Sequence, residues 1–435
     1  MTNAPTNARD AGLVRGIGVA GLTSNVVNYT VGASIFVMPA ACAASAGTWA
    51  PVAFLIAALA NAGVTICFAE ASARVPTSGG QAGFTAVAFG PFAGFLSGTL
   101  TYFANVLAAG AILAAAADTV AAIAPGTGAT VPRAAMLLGW AALLAFVNLR
   151  GVKQAARVVE LAAGFKLIPL GLFLVVGAFA VHAANLPLPR PPAPAGLGDA
   201  TLLAVFLFAG VHGALLAGGE IRDPARTVPR ALAVGLGVVT LVFVGAQLIA
   251  QGILGAHTLA LSKTPLADAL ARVSPGLRGM MLGGALVAIL GWTVSDALSS
   301  PRALFGLARD GMLPRWLGRV DPASHVPARA IGTHLMLAVV LAIGGSYRSL
   351  ALVAALVLAL LFIGGCAASL RLRARDVALA GPPMMLPGLG AAALVAIGAM
   401  LWAIAQASRE QAMWLLALLA ALASWFMVGR RLSRA

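Results

Sequence analysis

Lys166 stands in Gly164-Phe165-Lys166-Leu167-Ile168, with apolar residues on both sides. A buried ammonium is costly, so it must face a protein interior or stretch along its stem to a polar boundary. That boundary is about two turns away at 3.6 residues per turn. Asp296 lies in another apolar stretch, with Ser295 and Ser299 beside it. His212 sits among small residues in Phe206-Leu207-Phe208-Ala209-Gly210-Val211-His212-Gly213. Imidazole changes charge near neutral pH, so His212 is either a proton-responsive or solute-contacting group, or a neutral packing residue bonded to a carbonyl. Glu70, Glu220, Asp223 and Arg226 gather at the ends of apolar stretches, where they are either solvated or paired. His334 and Asp118, near other stretch interiors or ends, carry no assigned role.

None of these groups forms a catalytic constellation. Gly196-Leu197-Gly198-Asp199 spells the GxGD string of intramembrane aspartyl proteases, but it lies in a Pro-rich segment and no second Asp follows a Tyr. One aspartate cannot supply both the acid and the base of a carboxylate pair. Neither HExxH nor GxSxG occurs, which removes the metalloprotease and serine-hydrolase readings. Cys42, Cys67 and Cys366 lie in apolar stretches without a CxxC pair and read as small buried hydrophobes. No catalytic residue, cofactor or metal is expected.

The elements that must position these residues follow from composition. Of the 435 residues 60% are hydrophobic and only 9% are Asp, Glu, Lys or Arg, against about 25% charged in a soluble domain. No formal charge occurs between Arg15 and Glu70, or between Arg74 and Asp118. A bilayer span needs about 20 mostly apolar residues, so the chain is an all-α membrane protein. Twelve spans are expected, at 15–44, 50–73, 88–123, 132–149, 158–182, 200–220, 231–254, 279–299, 328–346, 349–369, 386–407 and 411–429.

The net charge of +15 would suggest a nucleic-acid partner in a soluble protein, but here the bases collect between apolar stretches. With the N-terminus inside, 20 of the 28 basic residues fall on the cytoplasmic side and seven on the other, with Lys166 inside a span. The positive-inside rule then puts both termini in the cytoplasm, and no nucleic acid is implied. The N-terminal tail, 1–14, is polar and lacks a cleavable signal pattern, so the first span is expected to act as its own signal.

A Pro-rich linker, 183–199, separates two five-span blocks, 15–182 and 200–369, with two further spans in 370–435. Its prolines favour an extended external loop. Five plus five plus two is the layout of a transporter built from an inverted repeat. The leading span of each block is interrupted by small residues, at Gly32-Ala33-Ser34-Ile35 and at Phe206–Gly210. Matched breaks expose backbone groups beside a cavity, whereas small residues otherwise serve close packing. At the first break N–H groups near Ala33, Ser34 and Ile35 suit a carboxylate. At the second, carbonyls around Phe206, Phe208 and Ala209 suit an ammonium.

Four motifs carry a family resemblance. They are Gly32-Ala33-Ser34-Ile35-Phe36; Glu70 followed by Pro76-Thr77-Ser78-Gly79-Gly80; Phe206 to His212 with Glu220-Ile221-Arg222-Asp223-Pro224-Ala225-Arg226-Thr227-Val228-Pro229-Arg230-Ala231; and Ala308-Arg309-Asp310-Gly311-Met312-Leu313-Pro314. In order and spacing they resemble the amino acid–polyamine–organocation superfamily of permeases. The resemblance implies the leucine-transporter-type fold, secondary active transport of an amino acid or related amine by alternating access, and a solute held mid-membrane between the first and sixth spans. Polyamine carriage, a transport-derived sensor and a membrane enzyme are the alternatives. Two departures stand out: Ser34 replaces a family glycine, and His212 stands where many members have Glu. Some sodium-independent members are similar in having Lys at the position of Lys166. Its amine would there replace a sodium ion between the first and eighth spans, with Ser295, Asp296 and Ser299 nearest, implying proton-coupled or exchange transport. Glu70, Glu220 and Arg226 would form an inner gate whose ion pairs break when the site opens inward.

Overall fold

The computed structural model describes residues 17–75, 80–150, 152–187, 192–210, 221–309, 313–321, 326–379 and 385–432. Among these residues the regular structure is helical, apart from one isolated bridge between Ile17 and Ile221. The first helices are α1 (Val19–Thr30), α2 (Met38–Ala46), α3 (Ala50–Arg74), α4 (Gly80–Phe89), α5 (Pro91–Ile123), α6 (Thr130–Leu149) and α7 (Val152–Ala178). Next come α8 (Pro194–Phe208), α9 (Pro224–Leu254), α10 (Ala256–Leu261), α11 (Pro265–Val273), α12 (Pro275–Ser299) and α13 (Pro301–Arg309). The last are α14 (Ala328–Gly344), α15 (Tyr347–Ala374), α16 (Leu389–Ala405) and α17 (Arg409–Leu432).

Eight of the described helical stretches are long and apolar enough to cross a membrane, and α8, α14 and α16 are shorter apolar helices. A helix satisfies its own backbone, which is why such composition yields helices and no sheet. Their outward faces carry exposed Leu161, Leu241, Val340 and Leu394, suited to lipid. The protein is therefore a multi-pass membrane protein.

Two local departures from the expected layout have simple causes. Gly90 has φ 98°, a left-handed value open to glycine, and Pro91 follows at the start of α5. Together they end α4 and begin α5, so the expected span from 88 starts three residues later. The linker expected to stay extended through Asp199 instead turns helical at Pro194. Proline is tolerated in the first helical turn because its missing N–H has no intrahelical partner there.

Position in the bundle follows burial. Every residue of α8 from Ala200 to Phe208 is buried, and α8 packs on α2, α3 and α15. α1 lies on α9, and α12 packs along α7. This central group holds the site.

Candidate functional site

The first expected span is broken in the structure. α1 stops at Thr30, Gly32 is extended (φ −90°, ψ −163°), and a short 3-10 turn, Ala33–Phe36, leads into α2. The end of α1 leaves carbonyls without intrahelical donors. Val31 N–H donates to Val27 O at 2.8 Å and Gly32 N–H to Thr30 O at 2.7 Å. The Asn28 carbonyl is met by a side chain instead: Lys166 Nζ, from α7, donates to it at 2.8 Å. A cation at the negative end of a helix dipole is favourably placed, which accounts for an ammonium at this depth.

The second expected break is described on one side only. α8 ends at Phe208, and Ala209 N–H folds back to Phe206 O at 3.2 Å. His212 and Glu220 lie outside the described residues, as do Pro76 to Gly79 and Asp310 to Met312 of the sequence motifs. Gly210 closes the two halves together. A Cβ there would stand 2.5 Å from Thr30 Cα and 2.6 Å from Tyr29 O, so only glycine lets this backbone reach the end of α1.

Between these two ends lies a cavity of about 370 Å³. Gly32, Ser34, Phe206, Ala209 and Gly210 line it, together with Lys166, Ser295, Asp296 and Ser299. Nine residues proposed from sequence for two separate roles thus share one chamber. Ala33, Ile35 and Phe208 do not line it. Ala33 and Ile35 are buried behind the turn, and the Phe208 ring meets Phe243 of α9 edge-on at 5.1 Å. Successive residues of a 3-10 turn are about 120° apart, so Ser34 can face the chamber while its neighbours pack.

Lys166 and Asp296 do not pair. The Lys166 amine is taken by Asn28, while Asp296 Oδ2 lies 2.7 Å from His334 Nε2 of α14. Asp296 Oδ1 accepts from Ser300, whose hydroxyl accepts from Asn105 Nδ2 at 3.0 Å. Ser299 donates to the Ser295 carbonyl of its own helix at 2.9 Å. The expected grouping of Lys166 with Ser295, Asp296 and Ser299 therefore holds as a shared lining but not as a bonded set.

The residues of the expected inner gate are not bonded to one another in this structure: Glu220 lies outside the described residues, and Glu70 and Arg226 have different partners. Glu70 is fully buried and accepts from Arg74 Nε at 3.0 Å, from Arg373 Nε at 2.6 Å and from Leu386 N–H at 3.3 Å. Its second oxygen also takes Arg373 Nη2. Arg226 sits apart on α9, 75% exposed, with Asp223 at 3.9 Å as its partner. Glu70 points inward between α3 and α15, where a bare carboxylate needs bases beside it.

Sequence reasoning missed His334, Asn105, Ser300 and Trp292. Trp292 Cδ1 would lie 3.2 Å from a Cβ on Gly32, so this indole forms a wall of the chamber. The only signal for His334 was a histidine inside an apolar stretch. Nothing in its spacing points to Asp296, 38 residues earlier.

An interrupted helix beside an internal chamber, in a multi-pass membrane protein, is the arrangement of a membrane transporter. Comparison with known proteins narrows the class. The family model described as "Amino acid permease" matches residues 17–426. An uncharacterized transporter of Mycobacterium tuberculosis is 31% identical over 303 residues, covering 69% of this chain and 67% of that protein. A branched-chain amino acid permease of Bacillus subtilis is 26% identical, over 72% of this chain and 71% of its own. A cadaverine/lysine antiporter of Escherichia coli is also 26% identical, with the same two coverages. The chain belongs to the amino acid permease family of the amino acid–polyamine–organocation superfamily.

Proposed function

We propose that this transporter carries a net-neutral amino acid with an apolar side chain, by alternating access about the central chamber. The observation that carries the reading is the lining itself. Its two charged side chains, Lys166 and Asp296, are of opposite sign, and each is already held by a protein group. A dicationic guest would add charge that no free carboxylate of the described lining offsets, at a cost in desolvation. A zwitterion adds no net charge. Its carboxylate suits the N–H groups that open the turn at Ala33 and Ser34, and its ammonium suits the carbonyl side of Phe206–Ala209. Phe68, Phe84, Phe206, Phe362 and Trp292 offer apolar walls for the side chain. About 370 Å³ is within the usual size of small-molecule sites.

The layout supports twelve spans, with two inverted five-helix blocks and two C-terminal helices. The distribution of bases supports a bacterial inner-membrane protein with both termini in the cytoplasm. The Lys166 amine at the end of α1 supports a sodium-independent cycle, driven by protons or by exchange. A second reading, carriage of a cationic amine, is favoured by the likeness to the cadaverine/lysine antiporter.

Counterflow in proteoliposomes decides between them. Labelled leucine should exchange with internal unlabelled leucine, and cadaverine in tenfold excess should leave that exchange intact. Exchange of cadaverine with none of leucine would overturn the neutral-substrate reading.

A further inference from the structure

The Asp296–His334 contact is unlike the other ion pairs of the protein. Glu70, Asp118, Asp199, Asp223, Asp268 and Asp376 each stand beside Arg or Lys, which stay charged at working pH. Among the described residues Asp296 alone has histidine as its ion-pair partner, and it alone of these acids lines the chamber. His334 is fully buried behind it and does not line the chamber.

The surroundings limit which groups govern this pair. α14 packs against α5, α6, α12, α13 and the turn at Arg315–Gly318. On α5 the Tyr102 ring meets the imidazole edge-on at 5.8 Å, and Asp118 is held by Arg133 of α6 at 2.8 Å. Arg150 of α6 stacks on Phe146, Arg309 of α13 lies over Phe305, and Arg302 donates to the Leu298 carbonyl. Arg315 and Arg329, the latter on α14 itself, face outward. No fixed cation is bonded to Asp296 or His334 among the described residues.

With Nε2–H donating to the carboxylate, His334 Nδ1 has no partner among the described residues, and neither has the hydroxyl of Tyr102, whose ring meets the imidazole. A bare acceptor is cheaper to bury than an unpaired N–H, which fits this tautomer of the pair. A proton taken up by the pair leaves a hydronium ion in the chamber, breaking an O–H bond there, and forms one O–H or N–H bond on Asp296 or His334. The two groups titrate as a unit. Water in the chamber can deliver the proton to Asp296, while His334 is reached only through Asp296.

We propose that Asp296 and His334 form the proton-carrying pair of the transport cycle, loaded and unloaded through the Asp296 carboxylate from the chamber. Lys166, bonded to the Asn28 carbonyl at the end of α1, stands outside this pair. This assignment rests on the transporter reading with a proton as the coupling ion.

Two measurements test it separately from the choice of substrate. In an infrared pH titration of the purified, leucine-free protein, one protonation event should appear in carboxyl and imidazole bands. Asp296→Asn and His334→Gln should each abolish it or move its midpoint by about one pH unit or more. In proteoliposomes the ratio of proton-driven leucine uptake to leucine counterflow should fall at least tenfold in His334→Gln, and its pH profile should flatten. A wild-type pH profile in His334→Gln, with bands unchanged in both variants, overturns the pair. A titrating pair in a protein that exchanges cadaverine but not leucine supports this inference and sinks the neutral-substrate reading alone.

Discussion

Lys166 shows how one side chain ties two segments that are distant in the chain. Its amine replaces the N–H donor that Asn28 would have met had α1 continued, so the break and the lysine depend on each other. Lys166→Met should leave that carbonyl without a donor, at a cost of about 1–3 kcal/mol. Lys166→Gln, which keeps a donor, should lose less. Thermal melting in detergent reads the difference, and leucine uptake by Lys166→Met should fall with it. Wild-type uptake should persist when sodium is replaced by choline. Strict sodium dependence, together with wild-type behaviour of Lys166→Met, would remove the lysine from the cycle.

At the scale of elements, the buried carboxylate of Glu70 joins α3 to α15 and to the segment that enters α16. Two guanidinium groups and the Leu386 N–H converge on it. Arg74 is wholly buried, so Glu70→Gln removes its close counterion and leaves it the exposed Asp376 at 3.8 Å. Breaking such a pair costs about 3–5 kcal/mol, enough to lower the melting temperature sharply. Arg226→Ala should stay within about 0.5 kcal/mol of wild type, as expected of an exposed pair. Equal losses in the two variants would contradict this division.

Taken whole, most of the bases stand at the ends of apolar helices, and seven of the described acids have an ion-pair partner. Orientation in the bilayer is testable because the native cysteines Cys42, Cys67 and Cys366 are all buried and should resist labelling. Ala184→Cys, in the exposed turn after α7, should react with an impermeant maleimide in intact cells. Arg315→Cys, in the exposed turn after α13, should react only after the membrane is opened. The reverse pattern would invert the topology inferred from the bases.

Local pattern alone determined a good deal. Long runs without charge can only be helices that satisfy their own backbone in lipid, and the small-residue run at Gly32 to Ser34 located the break in the first span. Phe206, Ala209 and Gly210 were likewise legible as chamber lining, because they mark where a second helix stops. What the sequence left open was every long-range partner. Asn28 for Lys166, His334 for Asp296 and Arg373 for Glu70 depend on how far each helix is rotated and how deep it sits. Those two quantities are set by packing across the bundle, where burial at contacts such as Gly210 on Thr30 outweighs any preference readable along one helix.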